Sequence, residues 1–272
     1  MKSIVLSIFL TFLLGTAAIE EFKRSNTTHK RFYNIIVQRN PDSATRDLMC
    51  SGALISYNKV LTVAHCFFNS SRYSVPKENF AVMLGELGNA AKETRLIQIE
   101  NILIHPEYSY DNDRQNDLAV VILREEVETD AEDIIPIGIA TFALPLNTEC
   151  IITTWLSLLW GWSLTERIQK IPVTVVDTGN CSAGAILSDR TICVYGNETE
   201  LEGTYFLSGT PLICNNILAG LSSQTIRSSI PISLESFTNI SFYSFWITNN
   251  ATKRFYFVYI WMYLLASIKF VL

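Results

Sequence analysis

The chain has 272 residues, 49% of them hydrophobic, and a formal net charge of −5. That length allows one or two domains with a sizeable core, and the acidic balance excludes the basic footprint of a nucleic-acid binder. No residue cluster points to a metal or an organic cofactor: Cys-x-x-Cys is absent, the only histidines are His29, His65 and His105, and no grouped oxygen ligands suit calcium.

In chain order, residues 1–18 read as a signal peptide. Lys2 supplies the positive start, residues 4–14 the apolar stretch, and residues 15–18 the small residues that favour cleavage. Residues 19–31 form a polar, charged arm. From Tyr33 onward the texture changes to short apolar runs separated by Gly, Asn, Asp and Pro. Strands are predicted over 35–38, 52–56, 60–63, 80–84, 95–99, 118–123, 150–154, 172–176, 191–194, 211–214 and 217–221. No long amphipathic helix competes with them, so the pattern predicts an all-β barrel or sandwich. Residues 238–247 predict a short closing helix carrying Ile240, Tyr243, Phe245 and Trp246.

Beyond it lies a hydrophobic tail over 249–272, with an uncharged apolar run at 255–268. A membrane span needs about 20 residues, and the Tyr and Trp residues of this run suit an interface better than the lipid centre. Lys253 and Arg254 precede the run, against the positive-inside bias for a span of that orientation. A lipid-anchor signal around residues 249–251 would have too short a polar spacer. A span, a lipid anchor, a tail packed on the body and a tail lying on a membrane surface remain alternatives.

Six Asn-x-Ser/Thr sequons, at Asn26, Asn69, Asn180, Asn197, Asn239 and Asn250, accord with secretion and glycosylated surface loops. So do the six cysteines, Cys50, Cys66, Cys150, Cys181, Cys193 and Cys214, whose even number suggests three disulfides in an oxidising compartment. Counting alone leaves their pairing open.

Three stretches carry chemistry. Leu61-Thr62-Val63-Ala64-His65-Cys66 offers a histidine, which serves as a general base near neutral pH. Asn116-Asp117 precedes the apolar run Leu118-Ala119-Val120-Val121-Ile122-Leu123, so its carboxylate sits at the edge of a core and needs a partner. Leu207-Ser208-Gly209-Thr210-Pro211-Leu212-Ile213-Cys214 places a serine in a tight turn. Each alone has an ordinary reading: a structural histidine, a turn aspartate, a loop serine.

Together, these stretches resemble the trypsin/chymotrypsin family of serine peptidases. Cys50-Ser51-Gly52-Ala53-Leu54-Ile55 and the His65 stretch resemble the family's histidine region. His105-Pro106-Glu107-Tyr108 with Asn116-Asp117-Leu118-Ala119 resembles its aspartate region, and Cys150-Ile151-Ile152-Thr153-Thr154-Trp155 the strand opening its second half. Ser208-Gly209-Thr210-Pro211 resembles the end of the serine motif. The similarity runs from about Tyr33 to Ile247, with the family's order of His, Asp and Ser.

The resemblance implies two packed six-stranded antiparallel β-barrels, at about 33–130 and 131–237, within a peptidase domain over 19–248. It implies the disulfides Cys50–Cys66, Cys150–Cys214 and Cys181–Cys193. It also implies catalytic roles for His65, Asp117 and Ser208, and an oxyanion site at the N–H groups of Phe206 and Ser208. Ser223 matches a serine that supports the aspartate and falls with Glu202 and Thr225 among the substrate-binding positions. The implied partner is a protein or peptide.

The family's Gly-Asp-Ser-Gly-Gly-Pro motif reads Phe206-Leu207-Ser208-Gly209-Thr210-Pro211 here. Phe206 replaces an oxyanion-hole glycine, whose backbone freedom a bulky residue lacks. Leu207 replaces the aspartate that pairs with a new N-terminal amine on activation. The matching Arg-Ile-Val-Gly-Gly cleavage site is also absent; the region offers only Lys23-Arg24 and Lys30-Arg31. Glu202 aligns with the family's pocket-base residue, where an acid would favour Lys or Arg substrates; the alternative reading is a solvated loop carboxylate. Gln224-Thr225 replaces a Trp-Gly wall, Thr204 a bracing cysteine, and Glu235 falls near another pocket glycine. These departures predict a secreted trypsin-like domain with weak or absent hydrolytic activity. The alternative is an active extracellular serine endopeptidase.

Overall fold

A computed structural model of the protein describes residues 34–40, 47–84, 95–110, 115–128, 134–154, 169–181, 189–197, 201, 206–223 and 233–252. The signal peptide, the N-terminal arm with Asn26, and most of the hydrophobic tail lie outside the described residues. Six strands form the first barrel: β1 (Asn34–Arg39), β2 (Asp47–Ser56), β3 (Lys59–Thr62), β4 (Phe80–Leu84), β5 (Arg95–Ile104) and β6 (Ala119–Leu123). They run antiparallel in the order β1-β2-β3-β6-β5-β4 and close by pairing β4 with β1.

The second barrel contains β7 (Glu149–Thr154), β8 (Gln169–Val176), β9 (Thr191–Gly196), β10 (Pro211–Cys214), β11 (Ile217–Leu221) and β12 (Leu234–Asn239). Their order is β10-β11-β12-β9-β8-β7, closed by β7 on β10. Closure leaves neither sheet with an unpaired edge. Helix α1 (Ile240–Thr252) follows β12 directly. The three disulfides are Cys50–Cys66, Cys150–Cys214 and Cys181–Cys193, the pairing that the resemblance implies.

The local reasons are legible strand by strand. β4 and β6 are almost wholly buried and almost wholly apolar, whereas β8 alternates between buried and more accessible positions, with Ile171, Val173 and Val175 inside. β10 turns into β11 through Asn215-Asn216, both at positive φ (51° and 61°). A two-residue hairpin of this handedness requires that backbone, and asparagine tolerates it. The first barrel's core does not stop at its own strands. It continues through Ile213, Leu218 and Leu221 of the second barrel to Ile240, Tyr243 and Ile247 of α1. The helix therefore packs the two barrels into one body.

Two sequence expectations need correcting. β12 was not among the predicted strands, because its inward-facing residues are Glu235, Phe237 and Asn239. Two polar residues in three inward positions erase the usual alternation signal. The helix begins at Ile240 rather than at residue 238, because Asn239 is its cap. The Asn239 side-chain oxygen accepts from the Ser241 N–H (3.1 Å) and from the Ser241 hydroxyl (2.8 Å). Its amide nitrogen donates to the Asp189 carbonyl at 2.7 Å, and the residue is only 9% exposed. Those bonds make Asn239 the cap of the helix.

Candidate active site

β3 leads into a short 3-10 turn, Ala64–Phe67. Ala64, Cys66 and Phe67 are buried there, and the Cys50–Cys66 disulfide fastens the turn to β2. His65 is the turn's only residue that is not fully buried. Its side chain keeps 14% exposure.

Asp117 approaches from the end of the segment before β6 and is only 2% exposed. Asn116 immediately before it has φ of 56°, a left-handed backbone that asparagine adopts at little cost. That conformation is held on three sides. The Asn116 amide donates to the Glu107 carbonyl (2.9 Å), and its side-chain oxygen accepts from the Tyr243 hydroxyl (3.1 Å) and the Arg190 guanidinium (3.4 Å).

The Asp117 carboxylate gathers three donors. Oδ1 accepts the His65 backbone N–H at 2.8 Å. Oδ2 lies 2.6 Å from His65 Nδ1 and accepts the Ser223 hydroxyl at 2.7 Å. An ionised carboxylate only accepts, so the proton resides on Nδ1 and Nε2 keeps its lone pair. In that tautomer Nε2 is the ring's hydrogen-bond acceptor.

Ser208 sits in the turn that opens β10. Its carbonyl accepts the Ser51 N–H at 2.7 Å, next to Cys50 of the disulfide that carries the His65 turn. Gly209 follows at φ +84°. A Cβ there would lie 2.0 Å from the Ser51 carbonyl oxygen and 2.9 Å from Thr62 Oγ1, so only glycine fits, on both counts. Ser222 holds the turn from behind. Its carbonyl accepts the Gly209 N–H (2.6 Å), and its hydroxyl donates to the Leu207 carbonyl (3.0 Å) while accepting the Thr210 N–H (3.0 Å). Among the described residues, no hydrogen bond joins Ser208 Oγ to His65.

A family model described as Trypsin matches residues 23–247. The chain belongs to the trypsin family. It is 28% identical to trypsin II-P29 of Gallus gallus over 73% of this chain and 77% of the relative. It is 27% identical to mast cell protease 2 of Meriones unguiculatus over 88% of this chain and 94% of the relative. Among solved structures, neuropsin, a serine protease expressed in the limbic system of mouse brain, superposes with a TM-score of 0.66. That match covers 82% of this chain and 96% of neuropsin at 21% identity, and shows the shared fold. The domain is a trypsin-like serine protease domain.

Within that family pattern, the structure brings His65, Asp117 and Ser223 together by direct hydrogen bonds and ties the Ser208 turn to the same seam through Ser51. The Phe206 ring packs with Leu144 against the core of the second barrel. Glu202 and Thr225, with Thr204 and Gln224, lie outside the described residues. Glu235 is buried within β12. Cys50, His65 and Cys66 bring three potential metal-ligand atoms close together, but both sulfurs belong to a disulfide.

Sequence reasoning missed Asn116, Ser222, Ser51 and Tyr243 as residues that build the site. Asn116 had a local signal, an asparagine just before a buried carboxylate. Ser222 had none, since its role depends on a turn twelve or more residues away.

His105 packs between Tyr243 and Trp246 of α1, with ring centroids 5.5 and 4.8 Å away. Its Nδ1 accepts the Glu107 N–H at 3.2 Å. Burial lowers its pKa below the ordinary 6.5; Glu107 opposes this shift and Arg190 adds to it.

Two outcomes are expected. Ser222→Ala removes two of the turn's hydrogen bonds and leaves the Leu207 carbonyl and the Thr210 N–H only their bond to each other, costing about 1 kcal/mol in denaturant unfolding; an unchanged midpoint would contradict the assigned role. For His105, a folded pKa below the unfolded one means its contribution is complete above about pH 6.5 and is lost as pH falls toward the folded value. His105→Phe, which keeps an aromatic ring against Trp246, should therefore flatten the loss of stability below that pH.

Proposed function

We propose that the chain is a secreted serine peptidase domain in which Ser208 retains slow acyl transfer toward peptides. The observation that carries this reading is the Asp117 carboxylate with its three donors, an arrangement that gives His65 the tautomer a general base needs. Ser208 Oγ attacks the scissile carbonyl while His65 Nε2 takes its proton. The peptide C–N bond breaks as His65 returns that proton to the leaving amine. Water then attacks the acyl-serine by the same proton path. Asp117 orients the imidazole and stabilises its charged form. The N–H groups of Phe206 and Ser208 are the oxyanion donors, and Glu202 favours a Lys or Arg side chain.

The rate is low for two reasons. Phe206 lacks glycine's backbone freedom and so aims its N–H poorly at the oxyanion; complete loss of one such donor lowers turnover roughly 10²–10³-fold. Leu207 offers no carboxylate to a newly released amine, so cleavage of the basic arm does not activate the domain. A binding module without hydrolysis is the second reading, favoured by the packing of the partly buried Phe206 against the second barrel's core.

The signal peptide, the three disulfides and the sequons support passage through the secretory pathway. The tail supports attachment to a membrane surface. Among the described residues, no helix is long and apolar enough to cross a membrane.

The test is fluorophosphonate labelling of the secreted full chain. Wild type should label slowly, Ser208→Ala not at all, and cleavage at Lys23-Arg24 or Lys30-Arg31 should leave the rate unchanged. Phe206→Gly should accelerate labelling by about 10²-fold. A wild type that never labels, with a silent Phe206→Gly, would replace this reading with the binding module.

A further inference from the structure

The second barrel carries an open groove of about 1030 Å³ at the end of β10 away from Ser208. β7, β8, β9 and the β10–β11 hairpin line it. Its walls include Ile151, Pro172 and Tyr195, and its polar groups include Asn197, Asn215 and Asn216. Ile151 and Tyr195 are large apolar side chains left 41% and 51% exposed. Asn197 is the first residue of a sequon, Asn197-Glu198-Thr199. It follows β9 directly and is exposed, two positions after Tyr195, with the buried Gly196 between them. Alternation along a strand places Tyr195 and Asn197 on the same outward face.

We propose that Asn197 carries an N-linked glycan whose first sugars lie in this groove, with a sugar face stacked on the Tyr195 ring. The proposal rests on the secretory routing given above. The amide nitrogen of Asn197 attacks the anomeric carbon of a lipid-diphosphate-linked oligosaccharide. A C–N bond forms, the C–O bond to the diphosphate breaks, the lipid diphosphate leaves with the bonding pair, and the nitrogen gives up one proton.

The occupant follows from chemistry on the page. A sugar ring presents apolar C–H groups on one face and hydroxyls at its rim. The groove offers an aromatic and two aliphatic surfaces beside asparagine side chains able both to donate and to accept. The attachment point lies in the groove's own lining, so the glycan is held there at high effective concentration. Other sequons differ in place. Asn239 is a buried cap and Asn250 lies on α1, both outside the lining of the groove. Asn180 is exposed on a 3-10 turn outside the lining of the groove, which makes it the internal control.

The experiment is site-resolved glycopeptide mass spectrometry of the full chain secreted from eukaryotic cells. It is combined with timed glycan release by an amidase from the folded protein. Asn197 should be occupied, and its glycan should leave about tenfold more slowly than the one at Asn180. Tyr195→Ser should abolish that protection and lower the melting temperature by about 2–4 °C; in an Asn197→Gln background the same change should lower it no further. An occupied Asn180 with a bare Asn197 would overturn the proposal and leave secretory routing standing. No glycan at any sequon would overturn both. Equal release at the two sites, or a Tyr195→Ser effect that persists without the glycan, would show that the groove serves something else, such as a peptide.

Discussion

The Asp117 carboxylate is the group around which the two barrels have to agree. A buried charge without partners costs several kcal/mol, and Asp117 is 98% removed from solvent by its 2% exposure. Two of its three donors come from His65 in the first barrel and the third from Ser223, beside β11 of the second. The carboxylate is therefore satisfied only when the His65 turn is closed by its disulfide and the second barrel is docked. Its approach is set in turn by Asn116, whose left-handed backbone is held by Tyr243 of α1 and by Arg190 at the entrance to β9. Folding, docking of the helix and formation of the His65–Asp117 pair are therefore coupled.

The serine turn meets the same seam from the other side. Gly209 lies so close to Ser51 and Thr62 that the first barrel's backbone shapes the turn directly. Thr62 reinforces the contact by donating its hydroxyl to the Ser51 carbonyl at 2.7 Å. Where the family motif has a second glycine, this chain has Thr210, fully buried, with its N–H on the Ser222 hydroxyl and its own hydroxyl 3.4 Å from that of Thr154. A small polar layer thus holds a turn whose flanking Leu207 has no charge with which to anchor it. Adjacent residues divide the work: Ser222 fixes the Ser208 turn and Ser223 donates to the Asp117 carboxylate.

Much of this was legible in the residues. The eleven predicted strands all fall within β1–β11 or at their margins, because Val- and Ile-rich runs bounded by turn residues carry their own signal. His65 and Asp117 stood out because each is a polar residue set against an apolar run. β12 was hidden by Glu235 and Asn239, polar residues turned inward at positions where a core strand would ordinarily show aliphatics. The seam was hidden for a different reason. Ser51, Asn116 and Ser222 are common turn and strand residues, and their importance arises from partners 9 to 157 positions away. Local pattern reports what an element is, while these residues report what it docks against.

The central claim is that Asp117 holds His65 in the Nδ1-protonated form. Nitrogen-15 NMR of histidine-labelled protein at neutral pH tests it directly, since the two ring nitrogens report which of them bears the proton. The account predicts a protonated Nδ1 with a strongly hydrogen-bonded proton and an unprotonated Nε2 for His65, and loss of that state in Asp117→Asn. An unprotonated Nδ1 in the wild type would contradict it, and with it the assignment of His65 as the base for Ser208.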